Sequence, residues 1–223
     1  MRIQSQISPH ITIEAISQSH INKAETALQR LASKPNGACL LDEIKRFSKN
    51  GRSLRINVVD ATINTSVRAA LTTKQAKAHN LPVDDLNPRS YSKAVALANK
   101  KGFLKGEGTS AIIDWNPAQY PDIANDGRPR LVENEELAFV SLAHEIVHGY
   151  RIMKGTFTGG QTNRYSPGTP AAAEEARAVG IGKYSGESLS ENGVRQEHNL
   201  PLRAYYRAAS PVIEDDLSNM SVG

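Results

Sequence analysis

The sequence predicts an α+β fold, a single compact domain in which a small sheet packs on one apolar helix. Three observations point there. Several segments repeat their apolar residues at helical spacing, two short segments alternate as strands do, and 39% hydrophobic content over 223 residues is enough for one sizeable core. No internal repeat or low-complexity tract competes with that reading.

In chain order, residues 1–18 are polar, rich in Ser, Gln and Ile, and without a strong period. They are expected to be a flexible N-terminal segment or to form an edge, with the domain proper over 19–223. A helix is predicted from Ser19 through Ala32, stopped by the breakers Ser33-Lys34-Pro35-Asn36-Gly37, and a second from Cys39 to Phe47 before Lys49-Asn50-Gly51. Leu54 to Asp60 alternates as a strand, and Leu71 to Asn87 is irregular, with Pro82 inside it and Pro88 just beyond. Tyr91 to Asn99 again reads as helix. A second strand, Ser110 to Trp115, lies between Gly106-Glu107-Gly108 and Asn116-Pro117, with Trp115 as a packing residue.

A loop containing Pro117, Pro121 and Pro129 then leads to an apolar helix that is expected to begin at Asn134 as N-cap and to run to Met153. Glu135 and Glu136 would occupy its first turn, where the helix dipole favours negative charge. Gly155, Gly159, Gly160, Pro167, Gly168 and Pro170 make the next segment a long loop, of the kind that is usually functional or disordered. Ala171 to Gly180 closes the series as a short helix.

Composition narrows the chemistry. Cys39 is the only cysteine, which excludes an intramolecular disulfide and a cysteine-rich zinc site. No apolar stretch approaches the roughly 20 residues of a membrane span, and the first residues lack the apolar core of a cleavable signal, so a soluble protein with no membrane partner is expected. Net charge is +4, divided as 17 Lys+Arg against 8 Asp+Glu in residues 1–107 and 10 against 15 in residues 108–223. The basic half lacks an aromatic stacking set, and no nucleic-acid partner is expected.

The apolar helix carries His144-Glu145-Ile146-Val147-His148, an H-E-x-x-H signature. Histidines four apart lie on one helix face and can aim two imidazole nitrogens at one ion. Glu145 sits beside them, placed to take a proton from water rather than to bind the metal. A zinc site needs a third protein ligand and an open position. Arg151 and Lys154 stand where the metzincin pattern requires Gly and His, so the ligand must come from elsewhere. Glu174 and Glu175 are the candidates. At helical spacing Glu175 neighbours Ala171, Ala172, Ala178 and Val179 and should point inward; Glu174 neighbours Pro170 and Arg177, and suits a bond to a ligand imidazole or to Arg177.

The pair His144-Glu-Ile-Val-His148 and Glu174-Glu-Ala-Arg-Ala-Val-Gly180 resembles the gluzincin pattern of the clostridial neurotoxin light chains. The segment Ser190-Glu-Asn-Gly-Val-Arg-Gln-Glu-His-Asn-Leu-Pro-Leu-Arg-Ala-Tyr-Tyr206 is similar to that of the NleD-type effector metallopeptidases, and the likeness covers roughly residues 105–207. Gly193 departs from it, falling in a stretch that is usually helical. The resemblance implies a zincin-like domain binding Zn2+ through His144, His148 and Glu175, with Glu145 as base and Arg203 and Tyr206 as transition-state donors. If Arg203 and Tyr206 lay on one helical turn they would face the same way; Tyr165 and Tyr184 are alternative donors.

The same resemblance implies a monomeric endopeptidase, passed by type III secretion into the host cell cytoplasm with residues 1–18 as a possible signal. Its substrate would be a host protein such as a mitogen-activated protein kinase cut in the activation loop. An extended substrate is expected along the edge of the Ser110 to Trp115 strand. The alternatives are a catalytically silent adaptor that binds a host protein, and a zinc hydrolase acting on a non-protein substrate.

Overall fold

The computed structural model describes residues 1–160 and 162–208. A five-stranded sheet runs β1-β2-β3-β5-β4, built from β1 (Arg2–Gln4), β2 (Ile11–Glu14), β3 (Leu54–Val58), β4 (Ser66–Ala70) and β5 (Ser110–Trp115). The inner strands β2, β3 and β5 are parallel, and β1 and β4 close the two edges antiparallel. The register aligns Ile13, Ile56 and Ile113 across the sheet, and all three are fully buried. Because side chains alternate along a strand, Arg55, Asn57 and Asp114 fall on the opposite face. There Arg55 and Arg68 share Asp85, and Asn57 bonds Asp114.

Residues 1–18 turn out to be the edge rather than a mobile tail. Met1 and Ala15 are joined by the backbone bond Ala15 N to Met1 O at 2.9 Å, and Ile11 and Ile13 enter the core. Two alternating runs this short leave no period to detect.

The helices pack on one face of the sheet. α1 (Gln18–Ala32) agrees with expectation, but α2 (Pro35–Phe47) begins inside the supposed breaker cluster. Proline at the first helical position lacks only an N–H that would be unpaired there, so it starts the helix instead of stopping it. The next two N–H groups, of Asn36 and Gly37, donate to the Glu197 carboxylate at 2.6 and 2.9 Å. Pro88 does the same for α4 (Pro88–Ala98), whose Asn87 cap accepts from Ser90 N at 3.2 Å. The irregular region also holds α3 (Thr73–Ala78), opened by a capping box between Thr72 and Gln75.

Two further expectations are corrected. The proline-rich loop is a hairpin of β6 (Gln119–Ile123) and β7 (Pro129–Glu133), a two-stranded ribbon on which proline is tolerated because it has free edges. The motif helix, α5, spans Phe139–Lys154 with Ala138 at its start. Asn134 caps the preceding turn through Leu137 N at 3.1 Å, and Glu135 and Glu136 pair with Lys23 and Arg30 of α1. Long-range ion pairs thus claim the acids that local reasoning assigns to the helix dipole.

α5 is the axis of the domain, buried along nearly all its length between the sheet and α2. Trp115 closes this core, donating through Nε1 to Ala138 O at 3.2 Å. α5 ends at Gly155, whose φ of +77° and close approach to Gly106 O, 2.1 Å from any added Cβ, leave room for no side chain. α6 (Pro170–Val179) and α7 (Glu191–Glu197) complete the fold.

Candidate active site

One turn of α5 separates His144 from His148, and their rings meet edge to face with centroids 4.9 Å apart. α6 brings the third group. Thr169 caps it, accepting from Ala172 N at 3.1 Å, and the turn that follows the first aims two successive carboxylates at α5. Glu175 Oε2 lies 3.3 Å from His144 Nε2 and 3.1 Å from His148 Nε2, and the two Nε2 atoms are 3.3 Å apart. Among the described residues this is the one cluster whose donor atoms converge in the manner of a metal site, all within 4.8 Å of one another.

The other ring nitrogen of His144 fits that reading. His144 Nδ1 stands 3.0 Å from Glu191 Oε2, an acceptor, so Nδ1 carries the proton and the Nε2 lone pair faces the cluster. Glu191 is fully buried and is itself clamped, accepting from Arg203 Nη1 at 2.6 Å and from Arg195 Nε at 2.8 Å. Against a burial that would raise it, Arg203 and Arg195 hold the Glu191 carboxyl far below the usual carboxylate range. The negative field is strong enough that His148, despite burial, is pushed up to about 10 by Glu175 and Glu174. Two imidazoles with one carboxylate are an ordinary zinc donor set.

Glu174 is as deeply placed as its neighbour. It accepts from Arg151 Nη2 at 2.9 Å and Thr158 Oγ1 at 2.8 Å, and its Oε1 lies 3.5 Å from His148 Nδ1. Although burial opposes it, these neighbours, His148 and Arg151 foremost, hold its carboxyl at about 2. Arg177, the other expected partner, pairs instead with Glu187. Arg151, which excludes one zinc pattern by its presence, is therefore the counter-charge of another.

Glu145 is half-buried on the wall of a cleft of about 820 Å³ that also holds His144, His148 and Glu175. Burial raises its carboxyl above the ordinary value, and the charge of Glu175 adds to the effect. Arg203 and Tyr206 reach the same cleft from the chain after α7, which is irregular there rather than helical. Arg203 is buried, donating to Glu191 and through Nη2 to Tyr206 O at 2.6 Å. Tyr206 stacks on Tyr165 with centroids 5.8 Å apart, and burial followed by the charge of Glu175 drives its phenol well above 10. Tyr165 is thus also at the cleft, whereas Tyr184 lies under Arg177.

The Ser110 to Trp115 strand has no free edge, being paired with β3 on one side and β4 on the other. The edge strand next to the cleft is β4, whose Ser66 to Ala69, with Asn64 and Thr65 before it, line the cleft. Its short, weakly alternating sequence hides it from sequence reading. Glu191 was equally hidden: its only local signal is Arg195 four residues on, a spacing common on solvated helices. Gly193 proves compatible with α7, since an added Cβ would sit 2.1 Å from Ser188 O.

The model of the family Peptidase_M91, described as "Effector protein", matches residues 10–206. Among solved structures, the catalytic domain of Clostridium botulinum neurotoxin serotype F is similar at 15% identity and a TM-score of 0.43, over 79% of this chain and 45% of that one. The light chains of botulinum neurotoxin serotype HA (16% identity, TM-score 0.41, 81% of this chain and 47% of that one) and type G (11%, 0.39, 90% and 60%) are similar too. The chain thus spans about half the length of these structures. No curated protein matches it.

Proposed function

The chain belongs to the Peptidase_M91 effector family, and from that premise we propose that it is a zinc-dependent endopeptidase acting on a protein of a host cell. The observation that carries the reading is the convergence of His144 Nε2, His148 Nε2 and Glu175 Oε2 beside Glu145 in one cleft. Those three atoms would hold the zinc ion. When bound, zinc lowers the pKa of a water to about 7 and polarises the scissile carbonyl. Glu145, with a carboxyl raised by burial, accepts the proton of the attacking water and returns it to the amine nitrogen as the C–N bond breaks. Tyr206, which keeps its proton at any physiological pH, donates to the developing oxyanion. Arg203 adds positive charge at the same wall while holding Glu191, and Glu191 in turn holds the ring of His144.

An extended peptide would lie against β4, adding a strand to the edge of the sheet and so fixing its register. The remaining parts of the reading rest on family likeness: a mitogen-activated protein kinase cut in its activation loop, delivery by type III secretion with residues 1–18 as the signal, and action as a monomer. The test is direct. Purified protein should carry zinc and convert a mitogen-activated protein kinase to two fragments whose junction, read by mass spectrometry, lies in the activation loop, and Glu145→Ala should keep the zinc and yield none. Zinc-free active protein would overturn the mechanism, and an intact kinase would overturn the substrate.

A further inference from the structure

Outside the cleft, one surface turn carries side chains that the core does not use. Lys101 to Leu104 form a tight hairpin turn, closed by Lys101 N to Leu104 O at 2.9 Å and Leu104 N to Lys101 O at 3.0 Å. Gly102 has a φ of +58° while Phe103 is not among the residues of positive φ, the pattern of a turn with glycine at its first central position. That turn holds Phe103 and Leu104 out at its tip, 98% and 75% exposed. A single exposed apolar residue is common, whereas two in succession at an apex, one of them almost wholly in water, make an apolar tip open to a partner.

The surroundings say what covers them. Lys100, Lys101 and Lys105 flank the pair and are all exposed. Among the described residues the only lysine in an ion pair is Lys23, so these three ammonium groups are uncompensated. Further in, Lys154 stands among Lys105, Arg151 and Arg46, with Glu43 the acid beside them. The base is rigid: Lys100 N donates to Phe157 O at 2.9 Å, Gly106 N to Gly155 O at 2.7 Å and Gly108 N to Leu97 O at 3.0 Å. A rigid apolar apex with a collar of cations matches a bilayer surface, apolar beneath and anionic above; a protein pocket would need to supply both a closed apolar hole and a ring of acids.

We propose that the Lys100–Lys105 turn is a membrane-docking tip, which inserts Phe103 and Leu104 among the lipids of an anionic bilayer while its lysines contact the headgroups. No helix among the described residues is long and apolar enough to cross a membrane, so this is attachment to a surface and not a span. The expected absence of a membrane partner rests on the lack of an apolar stretch of roughly 20 residues, a criterion that two residues at the apex of a turn do not meet. Phe157, bonded to the base of the tip, also lines the cleft, so docking would present the cleft beside the membrane surface. The proposal stands apart from the proteolytic reading and needs no activity for its test.

The experiment is sedimentation of the full chain with vesicles of phosphatidylcholine, with and without phosphatidylserine. Binding is expected only with phosphatidylserine, and should weaken as salt is raised. F103A/L104A should lower it by about 100-fold, and K101Q by about fivefold, with melting temperatures unchanged because these side chains lie in solvent. F103W supplies a direct reporter, since native Trp115 is buried: its emission should shift to the blue on adding the anionic vesicles. No binding to anionic vesicles at low salt, as expected if the tip docks a protein, overturns the proposal, and so does binding that F103A/L104A leaves intact.

Discussion

Glu191→Gln isolates the contribution of a residue that touches no proposed substrate atom. The substitution preserves shape and one carbonyl oxygen but removes the charge that compensates Arg195 at 2.8 Å and Arg203 at 2.6 Å, both of them buried. It also replaces an acceptor at His144 Nδ1, 3.0 Å away, with a group that can equally present an N–H, so the imidazole loses the bond that keeps its Nε2 lone pair directed at the cluster. Loss of such a partner lowers metal affinity by about 10 to 100-fold, or roughly 1.4 to 2.8 kcal/mol. Removing one member of a buried charge network costs folding stability of about 3 kcal/mol besides. Zinc affinity by competition with a chromogenic chelator, run at a temperature where a melt shows the variant fully folded, separates the two effects. A folded Glu191→Gln protein that binds zinc within twofold of the parent would refute the chain of support from Arg203 through Glu191 to His144.

Glu175→Ala should abolish stoichiometric zinc in elemental analysis, and zinc retained there would remove Glu175 from the ligand set. Glu174 predicts a pH effect: its folded carboxyl, at about 2, lies below the ordinary 4.5, so it contributes stability that is present above about 4.5 and is lost as pH falls toward 2. Denaturant melts should show Glu174→Gln flattening that acid loss by roughly 3 kcal/mol, and parallel curves for the two proteins would contradict the Arg151 pairing. The Glu145 carboxyl is raised, so kcat/KM should fall on acidification through a pKa above the usual carboxylate range as the base becomes protonated; a limb at about 4.3 or below argues against it. Tyr206→Phe should cut kcat by about 10² with zinc unchanged, whereas Arg203→Ala should lower both, because its guanidinium also holds Glu191.

The features legible from the residues alone are those whose information is local. Four-residue spacing put His144 and His148 on one face of a helix, and the apolar residues around them made that helix central. The neighbours of Glu175 on its own helix were enough to turn it inward. Features that depend on contacts distant in the chain came only from the tertiary structure. A proline such as Pro35 or Pro88 breaks one helix or begins another according to the partners its neighbours find, and Asn36 and Gly37 are capped by Glu197 from far along the chain. β4 has too little alternation to declare itself and exists because β5 offers it a partner. Glu174 looks solvated from its helix, but Arg151 and Thr158 arrive from another element to bury it. Glu191 is the clearest case: its local pattern is that of a surface ion pair, and only packing of α7 on α5 removes it from water and sets it against His144. Spacing along one helix is written in the residues of that helix, whereas desolvation and charge pairing between elements are properties of the packed chain, and these determine which acid can hold a metal and which can hold its ligand.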